Sequence, residues 1–505
     1  MIDLRLRAVC DLMVPNAREN AGLHVYDGQV QDLSPEGVKA ALARLGGPPL
    51  ADPHDEAHLA AFERWLCASF EDVEVHRRNP RLLLDNLDIS VYARHYAPVE
   101  ERAQARRRHL AAWPDAIDAG ISSLDAVAAP TAAAVLPSAR GLVAPLDPDD
   151  PVEAAALVAH RRLMAHLERA AVEGDPDPAW GAAALQQRLC YPESVGVGLT
   201  DLLEQADRER ERLTDLITDA CGRVRPGVPV AEVMRELTSD HPDADGVLEA
   251  ARDLSDEVLD FTVERGLLGG EIDGEVHIAP SPPSRHWATA MLSWAAPFED
   301  DGPSWYLITP PAAEWPPARQ DGWLAAFSHT SLPATTAHEV APGHFVHARF
   351  LRRASGDVRK ALQSPAFVEG WAHYAEELLI EEGFRAEDPR YTAGVAMKAL
   401  LRVVRLMVSI GIHTGWMDVA EAVTRFERDS FLREPAAQAE ADRALFDPTY
   451  GRYTWGKLAI LDLREEARRR WGAGFGLARF HRALLSLGAP PLGLMGAALD
   501  DAPAA

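Results

Sequence analysis

The chain has 505 residues, 47% hydrophobic and 25% charged, a composition that excludes disorder and describes a folded globular protein. Its net charge of -26 repels phosphate backbones and anionic lipid, so neither nucleic acid nor a membrane surface is an expected partner. Cys10, Cys67, Cys190 and Cys221 are scattered without a CxxC pair, which reads as buried thiols in a reducing compartment and excludes a cysteine zinc site. The opening MIDLRLRAVCDLMVP is interrupted by Asp3 and Asp11, and no stretch approaches the roughly 18 uninterrupted apolar residues of a transmembrane helix. The expected location is the cytoplasm.

Up to about residue 240 the pattern is helical. SPEGVKAALARL has Ser34 as N-cap and Glu36 in the first turn, and DEAHLAAFERWLCASFEDVEVHRR and LTDLLEQADRERERLTDLITDACGRV follow it, separated by connectors such as LDPDDP and EGDPDP. The string HDEAH places His54 and His58 one helical turn apart, but its acid, Glu56, does not adjoin the first histidine, so it reads as a solvated helix face. Around residues 279–318 prolines bracket SWYLITP, a short aromatic and β-branched run that reads as an edge strand. In a peptidase an edge strand beside the metal can bind substrate backbone by strand addition, and a structural strand without a ligand is the equal alternative. Further helices follow in TAGVAMKALLRVVRLMVSIGIHTG, MDVAEAVTRFERDSFL, DPTYGRYTWGKLAILDLREEARRRWG and FGLARFHRALLSLG. The expected fold is mainly α with a small β-sheet. A helical N-terminal lobe at 1–280 and a catalytic lobe at 281–505 are expected, either distinct or acting as one unit.

The chemistry concentrates between Thr335 and Glu376. TTAHEVAPGHFVHARF and SPAFVEGWAHYAEEL supply His338, Glu339, His344 and Glu369, the inventory of a catalytic zinc site with a free carboxylate beside its first ligand. Pro333 suits a first helical turn, so His338 and Glu339 are expected on the opening turns of a helix. His344 follows His338 by six residues, which on an undistorted helix turns it roughly 240° away. A distortion at Pro342 and Gly343 is therefore required. His347, three residues further on, is the alternative second histidine, and His344 is favoured because the preceding glycine lets the irregular turn end there. In the second segment Ser364 is a good N-cap, Pro365 suits the first turn and Gly383 suits the exit. Glu369, His373 and Glu376 form one stripe, with Glu369 as third ligand and His373 and Glu376 as residues that hydrogen-bond and orient the ligands. Arg443 and His413 lie in the same half, and an arginine in the cleft suits a substrate carboxylate. His347, if not a ligand, is a further substrate-binding candidate.

HEVAPGHFVH, FVEGWAHYAEE and DPTYGRYTWGKLAI together resemble a large bacterial family labelled only as a domain of unknown function, whose signature is HExxPGH followed by EGWA.Y.E. That family is similar in turn to gluzincin metallopeptidases of the thimet-oligopeptidase type, whose metal region reads HExGHxxH and FVExPSQxxE. This chain departs from the latter by two residues inserted after HE, and His373 stands where an apolar residue is usual. The resemblance implies a zincin-like, two-lobed helical metallopeptidase fold with a deep cleft. It places Glu369 on the zinc-ligand glutamate and Glu376 on the glutamate behind the ligands. Tyr453 falls on the tyrosine that hydrogen-bonds the tetrahedral intermediate, with Tyr450 one turn before it.

The expected activity is zinc-dependent hydrolysis of peptide or amide bonds, with one Zn2+ per chain and Glu339 as general base. Tyr453, or Tyr450, is expected to donate to the oxyanion. Two alternatives stand beside it: a zinc hydrolase of a specialised small amide or modified peptide, and a metal-binding module without activity.

Overall fold

The N-terminal helices begin where their caps place them. The Ser34 hydroxyl accepts from the Gly37 N–H at 3.0 Å and starts the helix Pro35–Leu42, and Asp52 caps Pro53–Cys67 through the His54 and Asp55 N–H groups. The computed structural model describes residues 2–500. Helix Pro53–Cys67 carries HDEAH, and the reading of that string as a solvated face is corrected: His58 is fully buried against Phe62, and burial pulls its imidazole down to about 3. Its neighbours Asp55 and Glu56 are engaged by Arg359 and Arg5.

The protein is mainly helical with a small sheet. Helix α1 (Leu199–Val224) buries Leu202, Ala206, Leu213, Ile217 and Ala220 at helical spacing. Strands β1 (Val276–Pro280), β2 (Ala290–Ser293) and β3 (Ser304–Ile308) then form the sheet, in the order β1-β3-β2. β3 pairs parallel with β1, Val276 facing Ser304, and antiparallel with β2, Ala290 facing Ile308. SWYLI is thus the central strand, not an edge. The prolines that suggested an edge, Pro303 and Pro310, lie just outside the paired residues, so none of them withholds a ladder donor. Ser304, Tyr306 and Ile308 alternate inward along it.

The remaining elements carry the site: α2 (Leu332–Glu339), α3 (His344–Arg353), α4 (Pro365–Glu381), α5 (Pro389–His413), α6 (Ala436–Phe446) and α7 (Arg452–Trp471). α5 is buried nearly all round and packs along α1. α4 and α7 cross in close contact because both carry glycine at the crossing. A Cβ on Gly456 would sit 1.9 Å from the Ala366 carbonyl oxygen, and one on Gly370 2.4 Å from the Gly456 carbonyl carbon. No larger residue fits at either position without moving a helix.

Apolar residues from Leu6 to Trp180 form one core, joined by Val358, Ala361, Leu362 and Phe446. A second runs from Leu185 to Leu499 and takes in α1, the sheet and most of the later helices. In chain order the two cores meet near residues 180–185. Leu401, Val404, Ile412, Ala441 and Tyr450 lie in a smaller third cluster. Among the described residues no helix is long and apolar enough to cross a membrane.

Candidate metal centre

α2 ends at Glu339, so His338 and Glu339 occupy its last turn, not its opening ones as the position of Pro333 suggested. The helix is only eight residues long, and Pro333 and the histidine share it. The distortion required by the spacing is a full interruption. Residues 340–343 leave the helix, the Ala341–Pro342 peptide is cis, and α3 restarts at His344. The Gly343 N–H donates to the Ala337 carbonyl at 3.1 Å, folding the turn so tightly that a Cβ there would lie 1.9 Å from the His338 carbonyl oxygen. Only glycine fits, and the turn brings His344 back beside His338, their rings 4.6 Å apart. Downstream, the Ser364 hydroxyl accepts from the Phe367 N–H at 3.0 Å and α4 ends before Gly383, whose φ is +90°. This sets Glu369 on the second turn of α4, facing both histidines.

His338, His344 and Glu369 each offer one ligand atom, all within 4.8 Å of one another. His338 Nε2 is 3.5 Å and His344 Nε2 3.4 Å from Glu369 Oε2. Ligands at 2.0–2.1 Å around a tetrahedral ion stand about 3.4 Å apart, a value that both histidine-to-glutamate separations match. Glu369 Oε2 has no hydrogen-bond partner although it is buried. Burial opposes ionisation of Glu369, but the two imidazoles outweigh it and hold the carboxyl well below the usual range. Two imidazoles and one carboxylate with an open fourth direction suit zinc.

Glu376, fully buried one face behind, accepts from His338 Nδ1 at 2.7 Å and from Arg402 Nη1 at 2.9 Å, while Arg402 Nη2 is ion-paired with its other oxygen at 2.9 Å and lies 3.2 Å from His338 Nδ1. The Glu376 contact puts the His338 proton on Nδ1 and leaves Nε2 free for a metal. His373 is also fully buried, with its Nδ1 3.8 Å from Glu376, a packing contact too long for a hydrogen bond. Burial pulls its imidazole down to about 4, so it is neutral. Glu339 Oε2 lies beside the cluster, buried and without a hydrogen-bond partner. Burial pushes its carboxyl up to about 7, with His344 opposing and Glu369 reinforcing the push.

His338, Glu339, His344 and Glu369 open onto a cavity of about 510 Å³, walled by both halves of the chain. Tyr453 lines it, its ring 6.1 Å from that of His338 and nearly parallel. Arg443 lines it as well, donating to the Tyr453 hydroxyl at 3.3 Å and paired with Asp447 at 3.0 Å. Three sequence candidates fall outside. Tyr450 is core, its hydroxyl donating to the Glu440 carbonyl at 3.2 Å. His413 is core, its Nε2 bonded to the Ala444 carbonyl at 2.9 Å. His347 points away from the cluster to the Gly488 carbonyl at 3.1 Å.

Residues 15–499 match the family described as "Bacterial protein of unknown function (DUF885)". The chain belongs to that family. No curated protein matches it. Two solved structures share the fold of this DUF885 chain. A "putative lipoprotein of unknown function from Shewanella oneidensis" has 18% identity and a TM-score of 0.73, covering 97% of this chain and 96% of its own. A "putative lipoprotein from Colwellia psychrerythraea" has 17% identity and a TM-score of 0.77, covering 98% and 97%.

Several residues of the DUF885 site carry no motif in the sequence. Arg402 is one, although its signal was present: Lys398, Arg402 and Arg405 recur at four and three residues within the apolar run of α5, a stripe of cations that a buried helix tolerates only opposite acids. Trp294, 6.4 Å from His344 between ring centres, and Trp287, under the Arg443 guanidinium, have no such signal.

Proposed function

We propose that the protein is a zinc-dependent hydrolase of amide bonds, with His338, His344 and Glu369 holding the metal and Glu339 as general base. The observation that carries this reading is the convergence of the three ligand atoms, both histidines 3.4–3.5 Å from Glu369, beside the buried Glu339 carboxylate, whose Oε2 has no hydrogen-bond partner. A structural site has no use for Glu339. The cation supplies Lewis acidity and lowers the pKa of a water towards about 7. Glu339 receives a proton from the attacking water and passes it to the departing amine as the C–N bond breaks, so an acid and an amine leave with the elements of water added. The Tyr453 hydroxyl, accepting from Arg443, has its own hydrogen free to donate to the oxyanion. Glu376 holds the His338 ring and its tautomer, and Arg402 holds Glu376. β2 takes the role first read into SWYLITP: it is an edge strand, and Ala290, Met291 and Leu292 line the cavity where a substrate backbone would add alongside it. The fold in this reading is zincin-like, with the cavity as its cleft.

A cavity of about 510 Å³ suits a ligand of a few residues. This favours a short peptide or a small modified amide over a long unfolded chain. The four cysteines are all free thiols, as suits the cytoplasm, whereas two relatives in fold are called lipoproteins; fractionation with an antibody separates cytoplasm from envelope.

The test is elemental analysis of the purified protein and of Glu339→Gln, with a peptide library followed by mass spectrometry. One zinc per chain in both and cleavage by the unmutated protein alone is the expected result. No bound metal in either would overturn the reading.

A further inference from the structure

Five arginines line the cavity, and four of them have a carboxylate. Arg81 pairs with Asp85 at 2.7 Å, Arg285 with Glu19 at 2.5 Å, and Arg443 and Arg452 share Asp447 at 3.0 and 3.2 Å. Arg188 pairs with none among the described residues. One terminal nitrogen donates to the Ser69 hydroxyl at 2.6 Å, and Nε has no hydrogen-bond partner. The indoles of Trp65 and Trp180 lie 5.3 and 5.9 Å from the guanidinium carbon. Aromatic faces and a hydroxyl fix the direction of a guanidinium without neutralising it. Burial, together with repulsion from Arg452, pulls Arg188 down to about 10 against a weaker attraction from Asp447, so it stays charged at neutral pH with no carboxylate paired to it among the described residues. In a protein with 77 acidic against 51 basic side chains, a carboxylate partner for it was easy to supply. Asp447 acts on it only through space, being paired directly with two other guanidiniums.

The same wall leads to the metal centre. Arg452 adjoins Tyr453 in α7, and its charge bears on both Arg188 and the Tyr453 hydroxyl. A rigid guanidinium with free donors, seated in the cavity that contains the metal ligands, is built for a planar anion.

We infer that Arg188 binds a carboxylate of the substrate, so that the amide cleaved belongs to a short acidic ligand anchored by that group. The inference rests on the hydrolase reading of the same cavity. Two sources of the carboxylate are chemically equivalent here, a free peptide C-terminus and an acidic side chain.

The test uses zinc-loaded protein and N-acetylated tri- to hexapeptides, each made as a free C-terminal acid, as a C-terminal amide, and as an amide carrying one glutamate side chain. Binding is read by calorimetry on Glu339→Gln, where hydrolysis is blocked, and cleavage is read on the unmutated protein. Expected is at least about 10-fold tighter binding of a carboxylate-bearing form over the plain amide, because charge-assisted bidentate hydrogen bonds are among the strongest available. Arg188→Ala in the same background removes that preference and Arg188→Lys keeps part of it. Which of the two carboxylates is preferred assigns the source. Equal binding of all three forms with Arg188 present overturns the inference without need of any Arg188 variant, as does a carboxylate preference that survives Arg188→Ala. Carboxylate preference that depends on Arg188, with no peptide cleaved, upholds the anion site and sinks the hydrolase reading alone.

Discussion

Glu376→Gln tests whether the site is set up from behind. The Glu376 carboxylate is fully buried, accepts from His338 Nδ1 at 2.7 Å and from Arg402 Nη1 at 2.9 Å, and is ion-paired with Arg402 Nη2 at 2.9 Å. Burial alone would push it up, but Arg402 and His338 outweigh that and hold it ionised, far below the ordinary carboxyl range. Glutamine keeps the shape but removes the charge, and its amide nitrogen donates where Arg402 also donates. Two effects follow. The zinc Kd rises by about one to two decades, the usual cost of removing the partner that orients a ligating imidazole, equal to roughly 1.4–2.8 kcal/mol. The fold loses about 3–5 kcal/mol, the cost of leaving one partner of a buried ion pair uncompensated. Chelator competition measures the first and urea unfolding of the metal-free protein the second. A variant that binds zinc as tightly as the unmutated protein would refute the claim that Glu376 sets the His338 tautomer, whatever happens to stability. A loss of zinc with unchanged metal-free stability would instead show Arg402 to be well served without Glu376.

His344→Ala should reduce bound zinc below one equivalent, whereas His347→Ala should keep the metal and lose about 1–3 kcal/mol of stability through its orphaned contact with the Gly488 carbonyl; the reverse pattern in elemental analysis would transfer the ligand role to His347. Gly456→Ala should destabilise by about 1–3 kcal/mol or fail to fold, since its methyl would meet the Ala366 carbonyl, and a urea midpoint equal to the parent's would show that α4 and α7 have room to part. Glu193 gives a pH dependence. Burial raises it to about 7 against the opposing hydrogen bonds from Ser364, Leu492 and Ala366. The folded state then binds more protons than the unfolded one between pH 4.5 and 7, so stability falls as pH rises through that window. Relative to Glu193→Gln the parent should lose on the order of 3 kcal/mol across it, and parallel stability curves for the two proteins would sink this account.

What the sequence disclosed, and what it hid, divides along local and long-range physics. Ser34, Ser364 and Gly383 were legible because a cap or a left-handed exit is decided by a few neighbouring residues. The meeting of His338 with His344 was legible because the six-residue spacing demanded a broken helix and Pro342 and Gly343 supplied it. Tyr450 and Tyr453 differ by three residues, and only the family resemblance favoured Tyr453 over Tyr450. The structure separates them because Tyr453 opens onto the cavity while Tyr450 turns into the third core cluster, a distinction set by α6, not by their own segment. The rank of SWYLI within the sheet depended on β1 and β2, which sequence alone does not order. Nothing in the first half of the chain announced Trp65, Asn79 or Arg188 as cavity wall, because only the packing of the two cores brings them there.

The motif therefore names the ligands but does not hold them. His338 is aimed by Glu376 of α4, and Glu376 is held by Arg402 of α5. Arg405, one turn on, grips Glu440 of α6 with two hydrogen bonds at 2.7 and 2.6 Å. α6 in turn supplies Arg443 to the Tyr453 hydroxyl, while Lys457 of α7 reaches Glu377 of α4 and Glu209 of α1. Each of these cations sits where water cannot stabilise it, so its acid must stay in place and the helices that bear the pairs are fixed relative to one another. Apolar packing tolerates sliding by fractions of an ångström, but a buried bidentate pair does not. A metal site needs its ligand atoms placed to within about 0.5 Å. That places the organising element of the centre in α5, a helix that contributes no ligand to it.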